Sequence, residues 1–249
     1  MPHDRMDREV NIVKFIIDKE VFRVLPTVCF GGVAAGGLDN TGKSAEILEL
    51  LKEATSFARS KFQGGNLKEH PDLVCYRNAF IKIGFNPNKF LSSVEALTSR
   101  VLKGGELPDI NDAVNLVNAI SLKYTLPMGA HDLNSIEGDI SVRYSREGEY
   151  FTPFGAGVAE EVPGGDLVYA DAVDIRTRRW IWRQSDRGKV TAASSKIFFP
   201  IDGFTDRNLE SVKAAREELA NCIEKYFGVQ PVKFYLDVDN PETETEIEI

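Results

Sequence analysis

The sequence predicts an α+β fold, with helices packed on a mixed or antiparallel sheet. Three observations predict it. Apolar residues at helical spacing crowd residues 44–124, whereas after Pro127 the pattern changes to period-two alternation and short apolar runs. The two kinds of segment are grouped instead of alternating, which argues against a βαβ design. No Gly/Ser-rich or Pro-rich linker divides the 249 residues. A single domain over residues 1–236 is therefore expected, followed by an acidic tail, 237–249, expected to be disordered for want of large apolar side chains.

Residues 12–17 and 21–33 are β-rich apolar runs and read as strands, and Gly31, Gly32, Gly36, Gly37 and Gly42 then mark a turn region. A first helix spans 44–62, with Ile47, Leu50, Leu51, Ala54, Phe57 and Ala58 on its apolar face. A second lies between Pro71 and Gly84. Asn88 is the expected cap of a third, carrying Phe90, Leu91, Val94, Leu97 and Val101 inward. Asn111 is the expected cap of a fourth, striped by Val114, Val117, Ile120 and Tyr124. Strands are predicted at 139–146, 167–170, 176–182, 197–201 and 232–236, and a late helix over 206–227 stops at Gly228.

Composition bounds the function. The net charge is −8, but six acids and no base lie in the 237–249 tail, so the body is close to neutral. That excludes a general nucleic-acid coat, and no DNA partner is expected; a site for one RNA end remains compatible with it. Cys29, Cys75 and Cys222 are isolated, and His3, His70 and His131 are scattered, so no metal, disulfide framework or other cofactor is expected. No apolar run approaches the ~20 residues of a membrane span, and a cytoplasmic location is expected.

The densest information lies in residues 171–189, DAVDIRTRRWIWRQSDRGK. Both tryptophans, Trp180 and Trp182, occur here with Arg176, Arg178, Arg179, Arg183 and Arg187. Guanidinium forks bind phosphate or carboxylate, and indole faces stack on bases. Strand alternation would put Arg176, Arg178, Trp180 and Trp182 on one face, a phosphate-binding and stacking surface, with Arg183 and Asp186 in the loop beyond. The alternative is that the indoles cover the sheet and the arginines pair with Asp171, Asp174 and Asp186.

Residues 37–44, GLDNTGKS, match the phosphate-loop pattern, with Lys43 as the cation. The helices that follow do not return to a parallel strand. A turn at Gly36 and Gly37 with Asn40 or Thr41 capping the helix is the plainer reading, and a nucleotide hydrolase the distant alternative.

Residues 110–118 (INDAVNLVN) and 126–133 (LPMGAHDL), then GDISVR, DLVYAD and KIFF in that order, carry a resemblance. The chain resembles the B3/B4 domain of the bacterial phenylalanyl-tRNA synthetase beta subunit, where the equivalent runs read INNVVDVTNYV and QPLHAFDL. The likeness covers roughly residues 71–204, and freestanding members of the family carry a strip similar to RRWxWRQSD.

The resemblance implies an amino-acid-sized pocket beside a tRNA 3′ end, an editing activity on a mischarged ester, and no aminoacylation activity of its own. The family's pocket asparagine falls on Asn118. Its editing histidine falls on Gly129, a departure, while His131 takes the family's phenylalanine position and Asp132 keeps its acid. The expected substrate-binding residues are Asn118, Gly129, His131 and Asp132. The expected RNA-binding residues are Arg178, Arg179, Trp180, Trp182, Arg183 and Asp186. The catalytic residues stay unassigned. The expected partner is the aminoacyl end of a tRNA or a free amino acid, and a non-catalytic module that binds an amino acid or RNA is the alternative.

Overall fold

The computed structural model describes residues 10–248. In chain order the elements are β1 (Val10–Ile17), α1 (Lys19–Val24), β2 (Val28–Ala35), α2 (Ala45–Phe62), α3 (Pro71–Lys82), α4 (Ser93–Leu102) and α5 (Asp112–Tyr124). Then come β3 (His131–Asp132), β4 (Ile140–Tyr144), β5 (Glu149–Phe151), β6 (Glu160–Val162), β7 (Leu167–Ala170), β8 (Ile175–Arg178) and β9 (Arg183–Gln184). The chain closes with β10 (Ile197–Phe204), α6 (Leu209–Phe227), β11 (Val232–Leu236) and β12 (Glu242–Glu248). The predicted α+β class holds, with α1 to α5 before residue 125 and, apart from β1 and β2, the strands after it.

Three layers result. A mixed sheet in the order β12-β1-β4-β7-β8-β9 faces a four-stranded antiparallel sheet, β11-β2-β10-β3. Between them Phe15, Phe198 and Phe234 pack ring on ring at 4.4–5.8 Å. The other face of the smaller sheet carries Val33, Phe199 and Ile201 against Leu116 of α5 and Leu219 of α6. Both β2 and β10 are buried along their whole length, and every side chain they carry except that of Asp202 is apolar. Gly32 on β2 is needed for this closeness, because a Cβ there would lie 2.2 Å from the Phe234 ring.

Four expectations require correction. Residues 19–24 form helix α1, not part of a strand, because the Asp18 side chain accepts from the Glu20 N–H and caps it while Val21 and Phe22 are buried. Helix α4 starts at Ser93 under a Ser92 cap; Asn88 instead accepts from Arg77 at 2.7 Å. Ser44, not Asn40 or Thr41, caps α2. The acidic tail is not a disordered end over its described length, because residues 242–248 pair antiparallel with β1. There the alternation puts Thr245 and Ile247 inward and leaves Glu244 and Glu246 in water. The Asn111 cap of α5 stands as expected, its side chain accepting from the Val114 N–H at 3.0 Å.

Candidate functional site

A cleft opens where the edge of the smaller sheet meets β7, β8 and β9, with a cavity volume of about 110 Å³. Gly129 and His131 form one wall, reaching the cleft from the chain that leaves α5. Trp182 and Arg183 line it from the β8–β9 side, Gln184 is tied to the Ala130 carbonyl through its side-chain amide, and Tyr169, Trp180 and Asp202 complete the lining as its floor. Ser93, the first residue of α4, closes one end, its N–H bonded to the Ile181 carbonyl at 2.8 Å.

The tryptophan–arginine segment does not run as one strand. It leaves β8 after Arg178 and turns through Arg179 (φ 52°) and Trp180 (φ 59°), two consecutive non-glycine residues in the left-handed region. Such backbone costs about 1–3 kcal/mol per residue and persists only where the surroundings repay it. Here the Trp180 N–H bonds the Leu167 carbonyl at 2.5 Å, and its indole is fully buried among Tyr76, Phe80 and Phe204. The turn therefore sends Trp180 into the core and returns Trp182 to the cleft, correcting the expected single Arg-Arg-Trp-Trp face.

Most of the cations in the segment are already paired. Arg176 is wholly buried and forks onto Asp171 and Ser135. Arg178 holds Asp166 and Glu160, each at 3.0 Å. Arg187 pairs with Asp174 and Glu137, and Lys189 with Asp186. Asp186 also accepts from the Gly155 N–H. Arg178 and Asp186 are thus paired within the protein and are not among the residues lining the cleft. Arg179 is clamped with its guanidinium 4.1 Å from the Phe90 ring centre and 4.7 Å from that of Trp182. It fixes Trp182 at the rim by cation–π contact. Arg183 is exposed and lines the cleft with no carboxylate partner among the described residues.

His131 and Asp132 do not work as a pair. The Asp132 carboxylate accepts from the Asn134 N–H at 2.9 Å and the Ser194 hydroxyl at 2.7 Å, so it shapes its own turn. The His131 ring stacks between Tyr169 and Phe198, and its Nδ1 is buried without a partner among the described residues. Burial, aided by the nearby positive charge of Arg176, pulls its pKa from 6.5 down to about 3. At neutral pH the imidazole is therefore uncharged, a hydrogen-bonding surface rather than a strong base. Beside it, Gly129 leaves room: a Cβ there would meet only Pro200 at 3.6 Å and His131 Nε2 at 4.0 Å.

Asn118 lies in a second depression of about 370 Å³, with Arg100 and Ala96. The two hollows share Ser93 and Met128 as walls, so Asn118 and Trp182 belong to adjoining parts of one concave surface. The other two asparagines of the run INDAVNLVN are spent elsewhere. Asn111 caps α5, and Asn115 bonds Asp109 at 2.8 Å and the Ile110 N–H.

The strongest ionisable feature of the cleft was not singled out in the sequence. Asp202 sits on β10, 2% exposed, on the sheet-facing side it shares with Phe198, Pro200 and Phe204. Its Oδ1 accepts from the Tyr169 hydroxyl at 2.7 Å and the Trp180 indole N–H at 2.6 Å. Its Oδ2 has no donor among the described residues and opens toward the cleft. Burial pushes its pKa from 3.8 up to about 7, against the two hydrogen bonds that favour the charged form. A lone acid inside the buried run IFFPIDGF was the signal available in the sequence.

The model of the B3/4 domain matches residues 75–228, which takes in the cleft from α3 to β10 and continues through α6. The chain belongs to the B3/4 domain family. Over 130 residues, 52% of its length, it is 36% identical to the phenylalanine–tRNA ligase beta subunit of Fusobacterium nucleatum subsp. nucleatum. That match spans 16% of the ligase subunit, so this B3/4 chain corresponds to a small part of the relative. An N-terminal fragment of the phenylalanyl-tRNA synthetase beta-subunit from Pyrococcus horikoshii aligns in three dimensions with 90% of the chain and 54% of its own, at 12% identity and a TM-score of 0.49. Among the described residues of this B3/4 protein no helix is long and apolar enough to cross a membrane, and no three His, Cys, Asp or Glu side chains group as metal ligands.

The phosphate-loop pattern resolves differently. The N-terminus of α2 is occupied from within, because both carboxylate oxygens of Asp112 accept from the Ser44 N–H at 2.9 and 3.0 Å. Lys43 turns to Asp109 at 2.7 Å. A helix N-terminus already holding a carboxylate has given its anion site to its own chain.

Proposed function

We propose that the cleft receives the aminoacyl 3′ end of a tRNA and positions the ester carbonyl for attack by water. One juxtaposition carries this reading: a small polar-floored hollow at Gly129, His131 and Asp202 lies directly beside an aromatic and cationic rim at Trp182 and Arg183. The hollow suits an aminoacyl group, and the rim suits the terminal nucleotide, with Trp182 stacking and Arg183 meeting phosphate. Membership of the B3/4 family and likeness to a ligase beta subunit support the same substrate class.

An ester needs a held geometry and a stabilised oxyanion more than it needs a nucleophilic side chain. Neutral His131 and the hydroxyls of Ser93 and Thr177 are the polar groups available for that, since the Gln184 amide already donates to the Ala130 and Gly188 carbonyls. The second reading, binding without hydrolysis, is favoured by the depressed pKa of His131, which removes the obvious general base.

A deacylation assay over a panel of mischarged tRNAs tests the proposal. Turnover of at least one ester, reduced in Arg183→Ala and Trp182→Ala, is the expected result. Saturable binding with no turnover on any ester selects the second reading, and no binding at all removes both.

A further inference from the structure

Resting on the aminoacyl reading above, we propose that Asp202 is the specificity-determining residue of the cleft. Its vacant Oδ2 receives the α-ammonium group of the bound aminoacyl moiety. The hydrogen bonds Asp202 makes inside the protein use Oδ1 alone, from Tyr169 and Trp180. An asparagine would serve that structural purpose without a buried charge, which is expensive when unpaired. The carboxylate therefore has a spare oxygen and spare charge aimed at a cavity of about 110 Å³. The partner that best satisfies both is a cation with several donors, and a primary ammonium carries three.

The rest of the cleft fits such a ligand. Arg183 is the one exposed cation among the residues lining the cleft, so a ligand there meets both a carboxylate and a guanidinium. A ligand with a cationic head and an anionic tail matches that polarity, as an aminoacyl group on a nucleotide does. Met128, Ile181, Pro200 and the Trp180 face leave apolar wall for a small side chain.

The ionisable groups around Asp202 are Tyr169 from β7, His131 from β3, Arg183 from β9, Cys29 from β2, whose thiol burial pushes up to about 12 and so keeps neutral, and Tyr76 of α3, which bonds its backbone carbonyl. Both tyrosines are held neutral by burial, and His131 is neutral as well. Within the floor, Asp202 is then the group that titrates near neutrality. Capture of an ammonium pulls its proton off, so binding near pH 7 releases a proton to the buffer.

The test uses two non-hydrolysable probes that differ only in the amine, 3′-(L-alanylamino)-3′-deoxyadenosine and its 3′-propionylamino counterpart. Titration calorimetry of the full chain is expected to show the alanyl probe binding about 10-fold or more tightly. It is also expected to show proton release for that probe alone, read from buffers of different ionisation enthalpy. Asp202→Asn, which keeps the Oδ1 acceptor, is expected to bring the two probes within about 2-fold of each other. It should leave propionyl affinity near wild type and keep a single cooperative thermal transition. Equal binding of the two probes by the wild-type protein, or a preference that survives Asp202→Asn, overturns the assignment while leaving the aminoacyl site standing. Failure of the wild-type protein to bind either probe overturns both. Should Asp202→Asn fail to fold, the wild-type preference and its proton release decide alone.

Discussion

The indole N–H of Trp180 meets Oδ1 of Asp202 at 2.6 Å, joining a left-handed turn of one sheet to an interior strand of the other. The same contact anchors the turn's strained backbone and fixes which carboxylate oxygen stays available to the cleft. Trp180→Phe removes the donor and part of a fully buried ring at once. A loss of about 2–4 kcal/mol in urea unfolding is expected. Trp182→Phe, at the half-buried rim, should cost under about 1 kcal/mol. Equal costs at the two positions would mean that the turn does not depend on the buried indole.

The two titratable floor residues give opposite pH dependences. The folded pKa of His131, about 3, lies below its usual 6.5, so its contribution is present above pH 6.5 and is lost as the pH falls toward 3. The folded pKa of Asp202, about 7, lies above its usual 3.8, so its contribution is present below pH 4 and is lost as the pH rises through 7. Each is worth on the order of 4 kcal/mol across its window. Between pH 4 and 6.5 the two slopes largely cancel in the wild-type protein. Measured against wild type, Asp202→Asn should lose stability on acidification across that window, and His131→Gln should gain it. Parallel stability–pH curves for all three proteins would show that neither group is shifted.

Arg178 and Arg183 lie five residues apart and should behave as opposites. Arg183 has no carboxylate partner among the described residues, so Arg183→Ala should leave the unfolding midpoint unchanged. It should weaken binding of a tRNA 3′ end and lower the slope of log K against log salt by about 1. Arg178 holds buried Asp166, so Arg178→Ala should cost about 3 kcal/mol by stranding that carboxylate. Salt titrations of binding alongside denaturation curves check both. A stability loss in Arg183→Ala would show that its guanidinium is structural.

These residues also show how far the sequence could be read. Residues 171–189 stood out for a valid reason, the excess of arginine and tryptophan in an acidic chain, and they do reach the cleft. Their sorting into one face failed because period-two alternation assumes extended backbone. Arg179 and Trp180 leave that region, and no glycine announces it. The arginines that pair internally find acids from residue 137 to 174, a matter of tertiary geometry. Helix caps with a short polar side chain one step before an apolar stripe were legible at Asn111 and misplaced at Ser92, where a turn intervenes. Helix α1 was hidden because Val21, Phe22 and Val24 favour strands locally, and burial overrode that preference. Asp202 was legible as an anomaly but not as a site, since nothing local says which way a strand residue faces.

The pattern at residues 37–44 supplies the sharpest contrast between motif and geometry. With the Asp112 carboxylate already bonded to the Ser44 N–H and Lys43 held by Asp109, no phosphate cradle is left at the start of α2. Adding magnesium and ATP or GTP should leave the melting temperature of the wild-type protein unchanged. Lys43→Ala should melt with wild type, because its partner lies on an exposed surface. Asp112→Ala should cost about 1–2 kcal/mol, since it strips a charge-assisted bond from a helix N-terminus. It should also make that terminus the place where added phosphate first stabilises the protein. Nucleotide-dependent stabilisation of the wild-type protein, abolished by Lys43→Ala, would show instead that Asp112 yields its place to a phosphate.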